Sequence, residues 1–138
     1  MLLLSFFIMY AVMFLNVDDS SDIYVSLTRL YMALLMVSPM AVLMVLLMGR
    51  MYPSKKQNGI IIIVSVAIFL ISLALLRLQV SVSDIQYMKA MIPHHSSAIM
   101  TSKNASLRDP EVRRLADSII VSQEREILQM KEILRRIR

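Results

Sequence analysis

Residues 83–102 read Ser-Asp-Ile-Gln-Tyr-Met-Lys-Ala-Met-Ile-Pro-His-His-Ser-Ser-Ala-Ile-Met-Thr-Ser, and their spacing decides the fold of the C-terminal part of the chain. Ile85, Met88, Ile92, His95, Ile99 and Ser102 alternate three and four apart, the rhythm of a helix with one packed seam. Ser83 and Gln86 make an S-x-x-Q capping box, and Asp84 adds a favourable charge to the first turn. The helix is expected to run to about residue 102 or 103, with a turn over 104–108. Asp109 then suits an N-cap, Pro110 the first helical position and Glu111 the first turn. The last helix finishes in Arg135, Arg136 and Arg138, matched to the negative end of its dipole. Its own seam is Ala116, Ile120, Gln123, Ile127, Met130, Leu134 and Ile137. Two such seams predict an antiparallel helical hairpin.

Apart from Ser102 at the end of the first helix, two seam positions are polar where an apolar side chain would stabilise better: His95 and Gln123. Folding the hairpin about residues 105–109 brings Gln123 opposite His95 or a turn away, Glu126 near His94 and Met91, and Met130 near Met88. Residues three or four apart share a helix face, so Met88, Met91 and His95 form one ladder, with Met100 a turn and more beyond. Thioether and imidazole suit soft metals, copper(I) above all. The bland alternative makes the methionines core filler and the histidines polar residues at a bundle seam. Pro93 removes a backbone donor just before the histidines; it either opens space for the imidazoles or is a tolerated bend.

The remainder of the chain reads as membrane. Of 138 residues, 57% are hydrophobic and the mean hydropathy is +0.64, an excess over the roughly half expected of a soluble domain. There is no cysteine, which excludes disulfides and thiolate metal sites. The net charge of +5 falls among acids on amphipathic helices and at membrane flanks, so no nucleic-acid partner is expected. Three transmembrane helices are expected, at about 2–17, 30–48 and 60–78, making 1–82 a membrane domain and 83–138 the extramembrane hairpin. The first is short for a span of roughly 17–25 residues, and it lacks the basic region and cleavage site of a signal peptide. A retained helix is expected there.

Between the first two spans lies an acidic loop with Asp18, Asp19 and Asp22. Between the second and third lies a basic one with Gly49, Arg50, Tyr52, Pro53, Lys55, Lys56, Asn58 and Gly59. The positive-inside rule puts the basic loop and the N-terminus in the cytoplasm, and the hairpin outside it. Met32, Met36, Met40, Met44 and Met48 step by four along the second span. A step of four overshoots a helical turn by about 40°, so the row winds round the helix and is read as packing, not as an ion track. A lone hairpin leaves apolar surface uncovered. Pairing with a second copy into a four-helix bundle, or docking onto the membrane helices, would cover it.

Residues 88–100, then Asp109-Pro-Glu-Val-Arg-Arg-Leu-Ala116, then Ile119-Ile-Val-Ser-Gln-Glu-Arg-Glu-Ile-Leu-Gln-Met130 together resemble the bacterial domain of unknown function 305. The resemblance covers residues 84 to about 134. It implies a ferritin-like helical bundle, related to copper-binding proteins of the CopM type, here behind membrane helices in place of a second hairpin. By position it implicates Met88, Met91, His94, His95, Met100, Gln123, Glu126 and Met130 in binding a metal, and it sets the protein in a bacterial inner membrane.

The expected protein is therefore all-α, a membrane-anchored extracytoplasmic metal binder and a homodimer or higher homo-oligomer. Its ion is expected to be copper, with silver or zinc as substitutes. A sulfur-rich site favours copper(I); one dominated by imidazole and Glu126 suits copper(II) or zinc. The alternative is an oligomeric membrane scaffold with no physiological metal. No enzyme is expected: the first hairpin helix has no glutamate, neither histidine has the Glu-x-x-His spacing of a di-iron site, and no nucleophile–base pair is visible.

Overall fold

The computed structural model describes residues 1–48 and 54–137. Its helices are α1 (Leu2–Val12), α2 (Leu27–Leu47), α3 (Lys55–Arg77), α4 (Asp84–Asn104) and α5 (Pro110–Arg136), with one turn of 3₁₀ helix over Ser20–Asp22. The chain divides into two compact units: Met1–Val12 with Thr28–Ser81, and Met13–Leu27 with Val82–Arg138.

In the first unit, α2 and α3 are long and apolar enough to cross a bilayer, at 21 and 23 residues. At 1.5 Å per residue they reach about 31 and 34 Å, against roughly 30 Å of hydrocarbon. The helix expected over 2–17 stops at Val12 after 11 residues, about half that thickness. Residues 13–16 turn away, and Asn16 leaves the helix to bond with α4. Helix α3 starts at Lys55, a turn and more earlier than expected, because Ser54 caps it by accepting from the Gln57 N–H at 3.4 Å. Lys55, Lys56, Asn58 and Gly59 are therefore helical; Gly49, Arg50, Tyr52 and Pro53 of the expected basic loop, and the terminal Arg138, lie outside the described residues.

The buried positions of α2 and α3 include Ala33, Ser38, Ala41, Ser65 and Ser72, small side chains of the kind that let membrane helices approach closely. In the methionine row, Met32, Met36, Met40 and Met48 are exposed, at 38–47%, and Met44 is half-buried. Helix α3 ends in a Schellman motif, with Val80 N–H bonded to the Leu75 carbonyl and Gln79 N–H to Leu76. Gln79 takes the left-handed conformation (φ 49°) that glycine usually supplies there. The Tyr31 hydroxyl holds the Val80 carbonyl at 3.0 Å.

The second unit is built on the α4–α5 hairpin. Met88, Ile92 and Ile99 of α4 pack with Ile127 and Leu134 of α5, flanked by Ile85, Ile120, Met130 and Ile133; this is the expected seam. Asp109 caps α5 by accepting from the N–H groups of Glu111 and Val112 at 2.8 and 3.0 Å. Ser83 caps α4, but the capping box closes only on one side. Gln86 Oε1 accepts instead from the N–H of Leu27, at 3.1 Å, satisfying one of the donors that the start of α2 leaves unpaired.

The acidic loop is no free loop. Residues 13–27 form a strap on the hairpin, its 3₁₀ turn packed against α4 and its Tyr24 against the core. Asn16 Nδ2 donates to Ser97 Oγ at 2.8 Å, and the N–H groups of Asp18 and Asp19 donate to Ser96 Oγ at 2.9 and 3.4 Å. Asp18 pairs with Lys103 at 2.7 Å, and buried Asp22 with Lys131 at 2.5 Å. Pro93 and Ser96 are among the most deeply buried side chains. Part of the covering that a lone hairpin lacks thus comes from the strap.

Candidate functional site

Along the other flank of the hairpin runs a groove of about 480 Å³, lined by Met88, Met91 and His95 of α4 and by Glu126, Gln129, Met130 and Ile133 of α5, with Asp84, Tyr87, Arg136 and Ile137 around it. The ladder expected from spacing is real in this sense: Met88, Met91 and His95 face one space, and Met130 meets them from α5. Met88 and Met130 also belong to or pack on the core, so the core reading of these two residues holds alongside any binding role.

His95 is the polar centre of the groove, its side chain 16% exposed. Glu126 Oε2 stands 3.1 Å from His95 Nδ1, yet the two are not aligned as a hydrogen bond, and Nδ1 is buried without one. Burial pushes the imidazole pKa below its ordinary 6.5; Glu126 and a hydrogen bond from the ring to Gln123 oppose that shift, while His94 adds to it. The net effect is a neutral ring at pH 7, the form that presents a nitrogen lone pair. Glu126 is held from its other oxygen by the Ser122 hydroxyl at 2.9 Å.

Other expected site residues fall elsewhere. His94 is exposed and outside the groove; successive residues on a helix point about 100° apart, so adjacent histidines cannot share a face. Its ring centroid is 6.0 Å from that of His95. Met100 is half-buried and does not line the groove. Gln123 reaches the site through His95, as the seam pattern implied. Glu126 meets His95 where the hairpin register suggested His94. Sequence reasoning passed over Ser122, which had no signal beyond its four-residue spacing from Glu126, and Tyr87, which sits one step from the methionine ladder.

Chemically, the groove offers three thioethers, one neutral imidazole and one carboxylate. Among the described residues there is no group of three or more His, Cys, Asp or Glu side chains that could hold a metal. A zinc-type site built from nitrogen and oxygen alone would lack its third donor. Sulfur supplies the majority of donors, which is the chemistry of a soft monovalent ion. His95 Nδ1 stands in this groove with the Glu126 carboxylate as its nearest charged neighbour.

Comparison with known proteins gives two matches and one blank. The family model described as "Domain of unknown function (DUF305)" matches residues 72–134. An uncharacterized protein of Acanthamoeba polyphaga mimivirus is 40% identical over 120 residues, covering 85% of this chain and 76% of the relative. No solved structure matches.

Proposed function

This chain belongs to the DUF305 family, and from that premise we propose that it is a membrane-anchored protein whose hairpin binds copper(I) in tolerance or handling of the ion. Silver(I) would serve as its closest substitute. The observation that supports this is the convergence of Met88, Met91, Met130 and His95 on one groove, with Glu126 beside the imidazole. His95, Met91 and Met130 would be the direct ligands, and Met88 a further sulfur at the core end. Gln123 would orient the ring through its hydrogen bond.

Helices α2 and α3 serve as the anchor, with α1 dipping into the same bilayer as a third, partial element. Two crossings return the chain to the side it left, which agrees with the strap before α2 and the hairpin after α3 sharing one compact unit. By charge bias that side is extracytoplasmic. The matched relative is viral, so the bacterial inner membrane draws its support from the resemblance alone.

Titrating the detergent-solubilised protein with copper(I) against a competing chelator tests the reading. His95→Ala should weaken binding at least tenfold and His94→Ala far less; equal binding by wild type and His95→Ala would refute it. A second reading is a self-associating membrane scaffold, favoured by Leu115, Val121 and Leu128, which are 58–63% exposed on α5. A homodimer would cover them, and it is compatible with the first reading. A metal-free protein that is dimeric in detergent and binds no copper would leave only the scaffold.

A further inference from the structure

We propose that the strap presets the histidine turn of α4, acting through Ser96, so that strap closure and ligand binding in the groove are coupled; this rests on the metal-binding reading above. Pro93 removes the backbone bond that would tie its turn to residue 89, leaving the segment that carries His95 with one tether fewer. The strap replaces it from outside the helix. Ser96, fully buried, accepts the N–H groups of both Asp18 and Asp19, and Asn16 donates to Ser97. These anchors are the two residues that follow His95.

The same adjacency recurs on α5. Lys131, which ion-pairs with Asp22 and donates to Ser21 Oγ at 3.1 Å, directly follows Met130. Groove and strap therefore occupy adjoining flanks of the same two helices, about 100° apart, with sequence neighbours shared between them. A side chain whose backbone is fixed on one flank is aimed on the other. Ser96 is thus a positioning residue that reaches the ligand only through His95.

Coupling of this kind is reciprocal: if strap contacts favour the ligand, the ligand must favour the strap contacts by the same factor. The test uses the full chain in detergent, with silver(I) as the probe. Hydrogen exchange by mass spectrometry follows the peptides containing Asp18 and Asp19. Saturating silver(I) should slow their exchange in wild type, and Ser96→Ala should both abolish that protection and weaken silver(I) binding about tenfold. Asn16→Ala, a change at an exposed contact that leaves the core intact, should weaken binding two- to threefold and settles the matter if Ser96→Ala does not fold. Silver(I) bound by wild type with no slowing at the strap, or with unchanged affinity in both variants, overturns the coupling alone. No silver(I) binding by wild type overturns the metal reading, and the coupling with it.

Discussion

His95 Nδ1 and Glu126 Oε2 approach to 3.1 Å without forming an aligned hydrogen bond. A carboxylate beside a metal-binding imidazole orients the ring and raises its basicity. Glu126→Gln keeps the side-chain shape and removes the charge. Metal affinity should fall about 10- to 100-fold, read by chelator competition, while the far-ultraviolet circular dichroism stays at the wild-type value.

The pH response follows from the direction of the His95 shift. Burial lowers its pKa below 6.5, so between the folded value and 6.5 the unfolded chain binds more protons than the folded one. Stability therefore rises with pH through that window and is lost as pH falls through it. Metal affinity falls over the same interval, because a protonated ring has no free lone pair. Thermal unfolding across the mildly acidic range should show a slope in wild type that His95→Ala flattens.

The Asp22–Lys131 pair is the strap's most buried charge contact, with the Asp22 side chain only 6% exposed. Lys131→Met leaves that carboxylate without its partner. The cost should be about 2 kcal/mol, measured as a lowered unfolding temperature, and the Asp22→Asn, Lys131→Met double variant should recover part of it.

Core and cap can be ranked. Ile92 is fully buried in the seam, so Ile92→Ala should cost about 3 kcal/mol. Asp109→Ala removes two N-cap bonds and should cost about 1 kcal/mol. Chemical denaturation of the solubilised protein gives both, and a larger effect for the cap would contradict the packing described.

Replacing Met32, Met36, Met40, Met44 and Met48 together by leucine should leave metal stoichiometry unchanged. Four of the five are exposed, and a flexible, polarizable thioether serves packing as readily as ligation. Metal analysis of the variant beside wild type checks this.

The parts of this fold that the sequence made legible are those written in local spacing. The caps at Ser83 and Asp109 act over two or three residues, and the three–four rhythm from Ile85 to Leu134 is a property of each helix alone. The two long apolar helices were legible by composition, although α1 came out shorter, the chain leaving it before Asn16 donates to Ser97. The strap was not legible. Its bonds join residues 77 or more apart, and they run from backbone N–H groups to a serine hydroxyl, which no hydropathy pattern marks. Gln86 misled for a related reason: its spacing from Ser83 fitted a local bond, and a distant N–H at Leu27 took it. At the groove, the methionine ladder and the His95–Gln123 meeting were readable from register, whereas the outward turn of His94 needed the actual rotation of α4.

Because the strap belongs to the hairpin's unit yet precedes both long apolar helices, that unit is discontinuous along the chain. During synthesis, Asp18 must wait for Ser96, 78 residues downstream, until both intervening helices have left the ribosome. A recombinant fragment beginning at Ser83 would lack the strand of chain that covers Ser96 and Pro93. An excised soluble version of this body is best made by rejoining residues 13–27 to the hairpin through a designed connection.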